Sequence, residues 1–72
     1  MATIIGQISA VQEERFWLND NQGVAHHFTL AYQAHVPEPG LHNMQKEGRH
    51  ILVTYTESRN AITGIVHRIR IL

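Results

Sequence analysis

Arg15–Leu30 reads RFWLNDNQGVAHHFTL, and the fold follows from how this stretch is parsed. Two runs of period-two alternation flank the turn Asp20-Asn21-Gln22-Gly23, the pattern of a β-hairpin. A loop of this composition suits a type I turn whose last residue has positive φ, which Gly23 adopts without a Cβ clash. Asn and Asp side chains cap backbone groups in such turns. Before the turn, Phe16 and Leu18 share one face, and Arg15, Trp17 and Asn19 the other. After it, Val24, His26, Phe28 and Leu30 alternate with Ala25, His27 and Thr29. Phe16, Leu18, Val24, Phe28 and Leu30 are expected inward, which leaves Trp17 outward. The alternative is a bulge beside the turn, which flips the phase and buries Trp17.

At 72 residues the chain has room for one domain, 1–72, with a modest core. It has no cysteine, so disulfide stapling and cysteine-ligated zinc are excluded, and a reducing, cytoplasmic setting fits. Barrel closure, a partner or a second copy must then supply what a small core lacks. Six basic and six acidic residues balance. A protein that holds nucleic acid mainly by its phosphates carries a basic excess, so binding of that kind needs a local patch here. The six histidines make the chain strongly positive below about pH 6, since an ordinary imidazole titrates near 6.5. MATIIGQISA lacks the features of a signal peptide, and no apolar run approaches the roughly 20 residues of a membrane span. The expectation is a soluble cytoplasmic protein with no membrane contact.

Thr3–Val11 reads as a first strand, with Ile4, Gly6, Ile8 and Ala10 on one face and Ile5, Gln7, Ser9 and Val11 on the other. Gly6 within it marks a bend or a close backbone approach, as at a barrel corner. Gln12-Glu13-Glu14 turns the chain into the hairpin, so the first three strands form a meander. Ala31–Gly48 changes character, because Pro37 and Pro39 remove amide donors and fix φ. Leu41–Glu47 then permits one or two helical turns, with Leu41 and Met44 on one side and Gly48 placed to end them; an ordered loop pinned by the same two residues is the other reading. His50–Glu57 (HILVTYTE) is a fourth strand rich in β-branched and aromatic residues. Ser58-Arg59-Asn60 is expected to turn into a last strand, Ala61–Leu72, with a bend at Gly64, Ile65, His67, Ile69 and Ile71 on its inner face, and Val66, Arg68, Arg70 and Leu72 on its outer face.

Three strands, an irregular or helical insert and two strands form the order of an oligonucleotide/oligosaccharide-binding (OB) barrel. Through GQISAV, FWLNDNQG, HHFTL, EGRHILVTYTE and AITGIVHRIRIL the chain resembles small OB-fold domains. The resemblance covers nearly the whole chain as a pattern of strands rather than a motif. It implies an all-β, five-stranded barrel with a short helix between strands 3 and 4. The paired aromatic RNA-contact motifs of cold-shock proteins are missing. The rival is a Src-homology-type barrel, which usually has a longer second-strand excursion.

Nothing in the chain points to catalysis. There is no phosphate loop, nucleophile motif or HExxH, and Glu13 and Glu14 sit in a turn. The interior of so small a barrel is filled by side chains. No residue is assigned a catalytic role, and no metal or cofactor is implied. His26 and His67 fall on the faces assigned inward and on strands that neighbour each other in an OB barrel. Two histidines are fewer ligands than a stable metal site takes, so hydrogen-bonded core or barrel-end histidines are the preferred reading. Were either buried neutral, the fold would lose stability between neutral pH and about pH 5.

The expected contact face is the outer surface of the second and third strands, with Arg15, Trp17 and His27, extended by Arg68 and Arg70 of the last strand. Outward Trp17, with Ile5, Val11, Leu52, Val66 and Leu72 on the nominal outer phase, exposes more apolar surface than a lone monomer usually shows. The long last strand, or an unclosed edge, offers a second route to a partner by strand pairing. The leading expectation is a non-enzymatic accessory or regulatory module that binds a protein partner or forms a homodimer. The alternative is single-stranded DNA or RNA stacked on Trp17.

Overall fold

The computed structural model describes residues 1–57 and 63–72. The expected turn at 58–60 and the first two residues of the expected last strand lie outside the described residues. Five strands, β1 (Ala2–Gln12), β2 (Arg15–Asp20), β3 (Ala25–His35), β4 (His50–Glu57) and β5 (Thr63–Ile71), close into a barrel in the order β1-β2-β3-β5-β4. All neighbouring pairs are antiparallel except β3 with β5, which run parallel. One short helix, α1 (Leu41–Lys46), stands between β3 and β4. This is consistent with an OB-like barrel. No helix among the described residues is long and apolar enough to cross a membrane.

The hairpin forms as its turn chemistry demands. Gly23 has φ +81°, and its amide donates to the Asp20 carbonyl at 3.1 Å. The Asp20 carboxylate accepts from the amides of Gln22 (2.8 Å) and Val24 (2.9 Å), so the side chain caps its own turn. Phe16 pairs with Phe28 and Trp17 with His27. Phe16, Leu18 and Phe28 are almost fully buried, while Leu30 is partly buried against the core. Val24, expected inward, is exposed. It leaves the turn before β3 begins, and its backbone, rather than its side chain, carries its structural role.

Gly6 is the corner of the barrel. It pairs with Asp20 of β2 and with Ile51 of β4, so β1 passes from one neighbour to the other there. A Cβ at this position would collide with the Asn19 backbone carbonyl. Only glycine permits that approach.

The helix exists because Leu41 and Met44 complete the core: both are buried, Met44 wholly. The Gly48 amide donates to Gln45 O and the Arg49 amide to Met44 O, with Gly48 at φ +66°. This is a Schellman ending, in which a left-handed glycine satisfies the last carbonyls. Gln45 Nε2 donates to Ser9 O, and Gln7 Nε2 to Gly48 O, tying the helix to β1.

Two bulges alter the expected faces. In β1 the register steps from Ile8↔Leu18 to Ala10↔Trp17, leaving Ser9 as an extra residue. The phase flips, and Val11, expected outward, packs on the core. In β5 the register steps from Tyr55↔Val66 to Thr54↔Arg68, leaving His67 extra. Val66, expected outward, is therefore fully buried, and Ile65, expected inward, is exposed. A one-residue slip exchanges the two faces of a strand, and here each bulge performs that slip once. β3 also runs past Leu30 to His35. Between Leu30↔Val66 and His35↔Arg68 its residues outnumber those of β5, and Tyr32 projects fully exposed from that stretch. The expected free edge is absent from β5, which pairs with β3 on one side and β4 on the other.

Candidate binding face

Trp17 and His27 face each other across the β2–β3 ladder. Alternation from the buried Phe16 and Leu18 turns Trp17 outward, where it is 44 % exposed. Its ring centroid lies 4.7 Å from that of His27, with the planes tilted by 43°. The His27 ring is held from its other side, since Nδ1 lies 2.8 Å from the Thr63 hydroxyl on β5. The row Ala10–Trp17–His27–Thr63 thus crosses four strands in register.

A groove of about 310 Å³ opens beside this row, lined by Ala10, Val11, Gln12, Arg15, Trp17 and His27. The bulge at Ser9 sets the phase of Ala10 and Val11, both of which line the groove. The Ser9 hydroxyl donates to the Trp17 carbonyl at 3.4 Å. Arg15 precedes Trp17 by two residues on the same face of β2 and is exposed. Its register partner Thr29 is itself opposite Ile65, so the exposed Ile65 continues the face onto β5.

Arg15, Trp17 and His27 are therefore one constellation, and Arg68 and Arg70 are not part of it. Both lie outward on β5, but Arg68 is five residues beyond Thr63, roughly 16 Å along the strand. Arg68 sits opposite Thr54 and His35, and Arg70 opposite Leu52, on the part of the barrel formed by β4, β5 and the start of β1. They do not extend the Trp17 patch. Residues that sequence reasoning passed over are Thr63, which orients His27, and Tyr32, a second exposed aromatic. Tyr32 follows the last alternating residue of β3, so its pattern carries no signal of a projecting bulge.

The histidines are not buried. Among the described residues the barrel has no buried polar or charged side chain. His26 Nε2 lies 2.9 Å from Asp20 Oδ2, its ring stacked on Phe28 at 6.3 Å. This contact, together with the turn amides, holds the Asp20 carboxyl below the usual carboxylate range. His67 Nε2 meets the Thr56 hydroxyl at 2.9 Å. His26 and His67 are not neighbours: β3 and β5 adjoin, but Leu30 is already opposite Val66, well past His26. Among the described residues no three His, Asp or Glu side chains gather at one point.

Neither the known protein-family models nor the curated proteins include one that matches this chain.

Proposed function

We propose that the protein is a non-enzymatic binding module of the OB type, a small accessory or regulatory protein acting through protein–protein contacts on the outer face of β2 and β3. One observation carries the reading: Trp17 stands half-exposed against His27 and lines a groove together with Ala10, Val11, Gln12 and Arg15. Tryptophan in such a setting offers a large apolar area and an indole N–H, the combination that anchors protein interfaces. The OB assignment rests on the order β1-β2-β3-β5-β4, with β3 parallel to β5 and the helix between β3 and β4. A formal net charge of zero favours protein contact over tracking of a phosphate backbone. The partner is another protein or a second copy. The proposal includes a cytoplasmic setting, with which a cysteine-free chain is compatible.

A second reading, single-stranded DNA or RNA on the same face, is favoured by the placement of Arg15 beside Trp17. A cation next to an aromatic ring can neutralise a phosphate while a base stacks.

Two measurements decide between them. Wild-type protein and Trp17→Ala are immobilised and exposed to extract of the source cells. A discrete protein retained by wild type and lost from the variant is expected, and equal retention by both removes the face from consideration. Short single-stranded DNA and RNA are titrated while the single tryptophan is followed at low and moderate salt. No response is expected. Saturable quenching that weakens with salt would put nucleic acid first.

A further inference from the structure

We infer that the groove beside Trp17 accepts an acidic peptide segment carrying an apolar anchor, and that His27 makes this binding tighten as pH falls. The inference rests on the protein-contact reading above and names the chemistry of the partner. The groove supplies apolar surface from Ala10, Val11 and Trp17, and a cation from Arg15, with no carboxylate in its lining. Glu13 and Glu14 lie beyond Gln12 in the β1–β2 turn and do not line it. The complement of Arg15 is a carboxylate, and the complement of Ala10, Val11 and Trp17 is an apolar side chain beside that carboxylate.

His27 adds the pH dependence through geometry. Its Nδ1 is committed to the Thr63 hydroxyl. Protonation therefore fixes Nδ1–H as the donor to Thr63 Oγ1 and makes Nε2–H a second, charged donor. Trp17 and His27 both line the groove, and the His27 ring has its centroid 4.7 Å from that of Trp17, with the planes tilted by 43°. The groups around it are Trp17 and Arg15 from β2, Gln12 from β1 and Thr63 from β5. Its chain neighbour His26 is engaged elsewhere, with Asp20. None of these described neighbours is an acid that would neutralise an imidazolium, so a ligand carboxylate is the group left to do so. Arg15 and a protonated His27 then flank Trp17 as two donors for one acidic segment.

The test follows Trp17 fluorescence while an acetylated Glu-Phe-Glu-Phe-Glu peptide is added at about pH 6 and about pH 8, with the Gln-Phe-Gln-Phe-Gln peptide alongside. Saturable binding of the acidic peptide, about tenfold tighter at the lower pH, is expected. The Gln peptide should bind far more weakly. Arg15→Gln should weaken binding at both pH values. His27→Gln, with its fold checked by circular dichroism, should bind equally at both. Equal binding of the Gln peptide overturns the proposal, as does a pH dependence that survives in His27→Gln. Tighter binding of an oligothymidylate than of the acidic peptide overturns it in favour of a nucleic-acid site. If the acidic peptide fails while Trp17-dependent capture of a cellular protein persists, the acidic partner is wrong and the contact face stands. If both fail, the reading beneath it falls as well.

Discussion

Gly64 lies directly against the ring of Phe28: a Cβ on Gly64 would come within 2.8 Å of two Phe28 ring carbons and 2.9 Å of Tyr55 Cδ2. The Phe28 ring has no room to yield. It is buried between Phe16, at a centroid distance of 5.5 Å, and Tyr55, at 4.9 Å. Gly64→Ala is therefore expected to destabilise the fold by about 1–3 kcal/mol through overpacking. Urea denaturation checks this. A lower midpoint at unchanged slope is the expected result, and a wild-type midpoint would mean that the aromatic layer can shift.

The hairpin was legible in the sequence because the turn and both flanking phases agree: Gly23 takes positive φ, Phe16, Leu18 and Phe28 are core, and Trp17 is outward. Gly6 was legible for a similar reason, since a glycine inside a β-branched strand has few purposes other than close approach. The faces were not legible in β1 after Ser9 or in β5 before His67. Nothing in ISAV or IVHR marks an extra residue, and each bulge is fixed by the pairing of a distant strand. The same limit explains the site. Trp17 and His27 meet through a local turn, whereas the position of Arg68 and Arg70 depends on the parallel β3–β5 register, which local pattern does not encode.

Asp20 ties the hairpin turn to His26, and this sets how acid acts on the fold. The carboxyl is held below its ordinary range first by the His26 hydrogen bond and then by the turn amides. A carboxyl whose folded pKa is depressed contributes stability above its unfolded pKa, about 3.9. That contribution is lost as pH falls through the still lower folded value. Asp20→Asn keeps an oxygen for the Gln22 and Val24 amides but removes the anion. The variant should be less stable than wild type above the unfolded carboxyl value, and the gap should close as pH falls below it and through the lower folded value. Urea midpoints of both proteins across that range decide it. A gap that stays constant into acid would show that the charge of Asp20 is not what stabilises the turn.

Met44 tests whether the helix is part of the core or a decoration on it. Its side chain is fully buried and lies one helical turn from Leu41, also buried. Met44→Ala removes several apolar atoms at a place where β1 and the Gln7 and Gln45 hydrogen bonds hold the surroundings in position. A loss of about 2–5 kcal/mol is expected, a large share of the total for a domain of this size. Thermal unfolding by circular dichroism measures it. A cost well below about 1 kcal/mol would mean that the barrel core closes without α1.

Trp17 should separate binding from folding. Its inward neighbours in β2, Phe16 and Leu18, are buried, and an alanine at either is expected to cost several kcal/mol, about 3–5 for Phe16. Trp17 is 44 % exposed and contacts the fold through His27 and the groove edge. Trp17→Ala is therefore expected to cost about 1 kcal/mol or less in urea unfolding and to abolish capture of the partner. The wild-type protein carries the complementary signal, because Trp17 is its only tryptophan. Its emission should be that of a partly solvated indole, quenched by acrylamide, and independent of protein concentration if the chain is monomeric. A blue shift that grows with concentration would identify the face as a contact between two copies. The cost of Trp17→Ala should then rise with protein concentration too, since dimerisation stabilises the folded state by mass action. A large cost at all concentrations would instead make Trp17 a structural residue and remove the anchor from the proposed face.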